Sequence, residues 1–246
     1  MKKKAAGLEN IYNESVNFFA SFFGNLNHQY NSLSRIQTYA ARSVIFDQDS
    51  AAEAVYLVES GLVKLVRLEQ AGREVIIDLR RPPWMLGAPC VLLEKPYPYT
   101  AVTLIQSSLR RLQAKVFQQI IKTNKLFSYQ ICLLLSRQIL DHMKRLEAIS
   151  CMSAKKRLAQ LLCDLICAQE PAKLQKPHEF QVPLKNEELA QMVSVTREHL
   201  CRLLREMEKD GVVTREKRVL TIVNPAGLLQ KMEDKRIISP HFISTI

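Results

Sequence analysis

The chain has 246 residues, 47% hydrophobic and 24% charged, with 35 lysines and arginines against 24 acids for a formal charge of +11. That length is ample for one or two cored domains, and the basic excess predicts a polyanionic partner, nucleic acid ahead of an anionic membrane surface. Only seven glycines are present, with no P-loop and no GxGxxG, HExxH or GxSxG motif, and the five histidines are too dispersed for local metal-ligand spacing. An enzyme is therefore not expected. The six cysteines (90, 132, 151, 163, 167 and 201) form no CxxC pair and most sit in apolar or helical surroundings, as reduced thiols packing like small hydrophobes. The densest apolar run, residues 131–135, is five long, far short of the roughly 18 a membrane helix needs. No apolar stretch follows Met1-Lys2-Lys3-Lys4, as a signal peptide would require. A soluble, cytoplasmic protein without a membrane partner is the expectation.

In chain order, Leu8, Ile11, Tyr12, Val16, Phe19 and Phe23 recur near helical spacing. From Ile36 the pattern changes to short strands: 36–40, 43–46, 54–58, 62–68, 74–79, 101–106 and 109–114. They are separated by turn-like breaks at 47–50, Gly61, Ala71-Gly72 and Pro82-Pro83. Many short strands at regular spacing predict a β-barrel or double sheet. From Lys115 to about Gln169 the signal is helical, with a break near Thr123-Asn124. Within 126–149, Cys132, Leu135, Ile139, His142, Leu146 and Ile149 recur at alternating three- and four-residue steps. Such a heptad seam predicts a two-helix dimer interface, with another face free to pack on the barrel. Ser153 can cap a further helix whose apolar face is Leu158, Leu161, Leu162, Leu165 and Ile166, stopped by Pro171.

Residues 184–211 carry the functional signal. Asn186 fits an N-cap, and Glu187 and Glu188 suit the positive end of a helix dipole. Ser194-Val195 makes a tight connection, and Thr196 can cap a second helix running to about Lys209 and ended by Gly211. Two short helices joined this way form a helix-turn-helix. With Arg197 at zero on a wheel of about 100° per residue, Leu203, Met207, Leu200 and Leu204 fall between roughly 240° and 340°. Cys201, Arg205, Glu198 and Arg202 fall between roughly 40° and 140°. One face is core; the other presents Arg197, Glu198, Cys201 and Arg202 for base reading, since arginine forks onto guanine and glutamate accepts from cytosine. Thr196, His199 and Arg205 flank it as phosphate contacts. Residues 212–222 then form a hairpin whose basic tip, Lys217 and Arg218, suits the phosphate backbone.

These residues resemble the CRP/FNR family of bacterial transcription regulators. The barrel markers are Ser43-Val44-Ile45-Phe46 and the stretch 55–65; the DNA-domain markers are 186–190, 195–204 and Glu208-Lys209-Asp210-Gly211. The resemblance implies an α+β chain with a double-stranded β-helix (jelly-roll-like) barrel, a long dimerisation helix and a winged helix-turn-helix. The expected divisions are an N-terminal helical segment (1–30), an effector-sensing barrel (31–122), the dimerisation helix (123–150), the DNA-binding domain (151–231) and a tail (232–246). It also implies a homodimer on double-stranded DNA, an inverted repeat with TGTGA-like half-sites, and RNA polymerase as a partner.

Departures from the family pattern bear on the effector. Members that bind cyclic AMP carry a Gly-Glu-Leu turn and an Arg-Ser-Ala segment; here the stretches read Leu86-Gly87-Ala88-Pro89-Cys90 and Tyr97-Pro98-Tyr99-Thr100-Ala101. A cyclic phosphate buried without a cation is costly, so cyclic AMP is not expected. The amino-terminal cysteine group of oxygen sensors is missing, which speaks against an iron–sulfur cluster, and haem is unsupported. No cofactor is expected. The remaining sensor pocket, without fixed charges, is assigned to Trp84, Met85, Leu86, Gly87, Cys90, Tyr97, Tyr99 and Thr100, and suggests an apolar or aromatic effector of unknown identity. Two other readings stay open: a thiol switch on Cys201, Cys163 or Cys151, or effector-independent control; and a ligand-binding module acting on protein partners. The charged face of the second helix argues against the last, because interface cores deplete charge.

Overall fold

The computed structural model describes residues 34–70, 72–169, 179–216 and 219–232. The expected amino-terminal helix, the wing tip at Lys217 and Arg218, and residues 233–246 lie outside them. The chain forms two compact units, with the boundary at His142–Met143.

The first unit is a pair of antiparallel sheets. β1 (Ser34–Tyr39), β8 (Ser107–Gln113), β3 (Ala54–Ser60) and β6 (Trp84–Leu86) form one sheet in that spatial order; β2 (Val44–Phe46), β7 (Thr100–Thr103), β4 (Val63–Leu68) and β5 (Glu74–Arg80) form the other. This is the expected double-sheet barrel. All of Ala54 to Val58 is buried, because β3 is covered on both faces. Ala54, Tyr56 and Val58 enter the core between the sheets with Phe46, Leu65, Leu86, Tyr97 and Leu109. Val55 and Leu57 point the other way, into a second core with residues of α1 (Ala88–Leu93), α2 (Ala114–Thr123) and α3 (Lys125–Cys151). There Phe117 meets Phe127 edge-on at 6.0 Å between ring centroids. Asn124 makes the expected break between the last two helices: its side chain accepts from Phe127 N–H at 2.9 Å and starts α3.

Some boundaries differ from the sequence reading. The segment 84–90, assigned above to the border of the sensor pocket, forms β6 and the start of α1; Pro89 lies in the first helical turn, where its missing N–H costs nothing. The strand expected over 101–106 ends at Thr103, and β8 starts at Ser107.

The second unit begins with the end of α3 and contains α4 (Ala154–Gln169), β9 (Phe180–Gln181), α5 (Asn186–Val193), α6 (Arg197–Lys209), the hairpin β10 (Val213–Glu216) and β11 (Val219–Ile222), and α7 (Pro225–Met232). Leu158, Leu162, Leu165 and Ile166 of α4 are buried as their spacing predicts. They share this unit with buried Leu189 and Val193 of α5, Leu200, Leu204 and Met207 of α6, and Leu220 and Ile222 of β11. β9 pairs with β11 to make a three-stranded wing sheet, which two residues of strand pattern are too short to announce.

Candidate DNA-reading face and barrel interior

The helix-turn-helix is built by local capping. Lys185, not Asn186, occupies the cap of α5; Asn186 is the first helical residue. The cap works because the Glu188 carboxylate accepts from Lys185 N–H at 2.8 Å, so no cap side chain is required. Ser194 ends α5 in the left-handed region at φ 57°, and Val195 N–H returns to Ala190 O at 3.0 Å, closing the tight turn. The Thr196 hydroxyl accepts from His199 N–H at 3.2 Å, which caps α6. Its own proton remains for an external acceptor such as a phosphate.

The wheel holds in three dimensions. Leu200, Leu203, Leu204 and Met207 are buried, while Arg197, Glu198, Arg202 and Arg205 are exposed and Cys201 and His199 are half-buried. Arg197 lies 3.3 Å from Glu187 with both side chains more than half exposed. An exposed pair of this kind is held weakly and yields to a stronger partner. Arg215 of the wing is differently placed: Nε and Nη2 both donate to the Glu208 carboxylate, Nε at 2.7 Å. That fork holds the Glu208 carboxyl below its ordinary range and raises Arg215. It docks the wing on α6 and removes Arg215 from the set of side chains open to DNA.

The expected dimer seam divides. Leu135 packs against the barrel's outer core, beside the buried stripe Phe127, Ile131, Leu134 and Gln138. Cys132, Ile139, Leu146 and Ile149 are exposed, together with Leu140 and Met143; Ile139 is 61% and Leu146 65% exposed. His142 is also exposed, yet it reaches the barrel: its Nε2 lies 3.0 Å from Arg80 Nη2, and Nδ1 lies 3.6 Å from Asp78.

The residues assigned to the pocket also divide. Met85, Leu86, Cys90 and Tyr97 are buried core. Tyr97 stacks on Phe46 at 3.9 Å and its hydroxyl donates to Ala54 O at 2.5 Å; its burial raises its pKa. Gly87 is required by packing: at φ 77°, a Cβ would stand 2.7 Å from the Tyr97 ring. Trp84, Tyr99 and Thr100 are only partly buried. Nor is the surrounding free of charge. Arg80 and Asp78, both buried, pair at 2.7 Å, and the guanidinium lies 3.8 Å from the Trp84 ring centroid. Tyr99 belongs to the same neighbourhood: burial, with Cys90 and Asp78 close by, pushes its hydroxyl up to about 12. Sequence reasoning missed this cluster because β5 reads as a buried apolar run interrupted by charge. An open depression of about 280 Å³ lies elsewhere on the barrel, lined by Phe46, Ser50, Glu53, Tyr56, Tyr97 and Arg111; of the assigned residues it includes Tyr97 alone.

A sheet barrel followed by a long helix and a winged helix-turn-helix with an exposed arginine face defines a two-part, DNA-binding regulator. Residues 36–124 match the cyclic nucleotide-binding domain family, and residues 156–238 match the Crp-like helix-turn-helix domain family. The chain belongs to the CRP/FNR family of transcription regulators. Among relatives, the cyclic AMP receptor protein of Thermus thermophilus is 29% identical over 71% of this chain and 77% of its own length. The HTH-type transcriptional regulator Cmr of Mycobacterium tuberculosis is 23% identical over 79% of this chain and 75% of its own. Of solved structures, a CRP/FNR-family transcriptional regulator of Thermus thermophilus shares the fold with a TM-score of 0.67 at 19% identity, covering 82% of this chain and all of that one (100%). The c-di-GMP-responsive global regulator CLP of Xanthomonas campestris does so with a TM-score of 0.65 at 22% identity, covering 82% and 99%. Among the described residues no helix is long and apolar enough to cross a membrane.

Proposed function

We propose that this regulator binds DNA as a homodimer, with one α6 in each half of an inverted repeat. Its base readers are Arg197, Glu198 and Arg202, with Cys201 on the same face. The observation that carries this is the division of α6: four buried apolar residues on one side, exposed arginines and a glutamate on the other. Arg197 and Arg202 each fork onto a guanine, and Glu198 accepts from a cytosine. Thr196, His199 and Arg205, with Lys217 and Arg218 of the wing, hold phosphates and set register. The exposed apolar stripe through Cys132, Ile139, Met143 and Leu146 supplies the dimer contact. By family resemblance the half-site is TGTGA-like and RNA polymerase is a partner in the cytoplasm.

The effector is one other than cyclic AMP. Ala88 and Tyr99-Thr100 stand in the region where cyclic AMP binders place their charges, and the part-exposed aromatics Trp84 and Tyr99 favour an aromatic or apolar group. Selection of bound duplexes from random DNA tests the DNA reading: a palindromic GTG/CAC core is expected, and its absence would refute the assignment. Arg202→Ala is expected to relax preference at one guanine, costing about 1–3 kcal/mol; equal losses on all sequences would remove it from the base readers. Calorimetry is expected to show no binding of cyclic AMP. Micromolar affinity for it would overturn the effector reading.

A further inference from the structure

In the second unit a single guanidinium gathers carbonyls from the ends of two helices. Arg157, in the first turn of α4, donates Nη1 to Met152 O at 2.6 Å and, more weakly, to Ile149 O at 3.4 Å; its Nε donates to Val193 O at 2.9 Å. Ile149 belongs to the last turn of α3, Met152 follows it, and Val193 is the last residue of α5. Carbonyls at helix C-termini have no partner within their own helix and carry the negative end of the dipole. A planar fork with a permanent charge satisfies several at once in fixed directions, which a lysine cannot do. The fork therefore ties the end of the helix bearing the exposed apolar stripe to the turn that launches the reading helix, since Ser194 to Thr196 follow Val193 directly. A second strap runs from the same part of α4, where Lys155 Nζ lies 3.0 Å from Glu206 of α6. It is exposed, and so weaker.

We infer that Arg157 is a positioning residue for operator recognition: it fixes the angle between the end of α3 and α6, and so the separation of the two reading helices. This rests on the dimer reading above. A dimer with its reading helices held at one separation discriminates half-site spacing, whereas a loose joint lets each helix find its half-site independently. Nε and Nη1 of Arg157 are spent on protein carbonyls, so base preference within a half-site is assigned to α6.

The test compares full-length wild type, Arg157→Ala and Arg157→Lys on duplexes whose two half-sites are separated by the selected spacer, or by one base pair more or less. Wild type is expected to favour the selected spacer by about tenfold or more, and Arg157→Ala by no more than about threefold, with base preference in each half-site unchanged. Arg157→Lys, which keeps the charge and loses the fork, should fold and fall between them. Hydrogen exchange of the DNA-free proteins provides a readout that needs no operator. Amides of 190–196 should exchange about tenfold faster in both variants, with those of β3 and β4 unchanged. Unaltered exchange in 190–196, or a spacer profile as sharp in Arg157→Ala as in wild type, would overturn the role. A wild type indifferent to spacing overturns the dimer reading instead, and exchange still decides whether Arg157 holds the joint.

Discussion

The barrel and the winged helix both carry arginines beside acids, and they use them oppositely. In the barrel, Arg80 is buried against Asp78, faces Trp84 and reaches His142, so its donors are turned inward. On α6, Arg197 and Arg202 are exposed, and the ion pair of Arg197 with Glu187 is solvent-screened. Charge satisfied inside a fold contributes to packing and orientation; charge left on a rigid helix face serves a partner. The two units thus divide the work, and the sharpest way to test the division is to make one substitution in each.

Arg80→Ala is expected to lower barrel stability by about 3–5 kcal/mol, because it leaves the Asp78 carboxylate buried without that cation. Arg202→Ala should change stability by no more than about 0.5 kcal/mol, as an exposed surface change does. Denaturant unfolding followed at Trp84, the single tryptophan of the chain, reports the first directly. If Arg80→Ala unfolds like wild type, the inward pair carries no packing role and the contrast between the units collapses.

The stripe on α3 sharpens the comparison further, since one helix shows both behaviours. Phe127, Ile131 and Leu134 are buried on the barrel, while Ile139 and Leu146 are exposed. Ile139→Glu with Leu146→Glu should therefore leave the protein folded but monomeric, and should weaken binding to the full inverted repeat by about a hundredfold, through loss of the second half-site. Light scattering that still shows a dimer for this double variant would dismiss the stripe as the interface. Leu135, which the heptad pattern places in the same seam, is the wrong residue to change, because its packing on the barrel makes the outcome one of stability.

How much was legible follows from the range of the interactions. The helix-turn-helix is a local object: amphipathic α6, the Thr196 cap and the Gly211 stop lie within sixteen residues, so the pattern shows the face directly. The heptad steps of α3 showed that the helix has apolar faces, but not which one the barrel takes. The cores that decide it, Val55, Leu57 and Leu112, lie on distant strands. The barrel interior was legible least. Arg80 and His142 are 62 positions apart and meet only through the packing of β5 and α3, and the apolar run at Met85, Leu86 and Cys90 gives no sign that it is core rather than pocket wall.

The smallest expected effect concerns the seam between wing and reading helix. Glu208 accepts both prongs of the Arg215 fork, which holds its pKa below the ordinary glutamate value. A carboxyl lowered in the folded state adds stability that is present above its unfolded pKa and disappears as pH falls through the folded one. The fork's contribution to wing docking is thus complete at neutral pH and is lost in the acid range below the usual glutamate value. Both partners are partly exposed, so the contribution is under about 1 kcal/mol. Glu208→Gln should reproduce at neutral pH the weaker wing expected of wild type in acid, and well below the usual glutamate range the two proteins should converge. Hydrogen exchange of the β10 and β11 amides at the two pH values, corrected for intrinsic rate, measures this. A gap between wild type and Glu208→Gln that persists undiminished in acid would show that the wing is held by packing of Val213, Leu220 and Ile222 alone, and that the fork only orients Arg215.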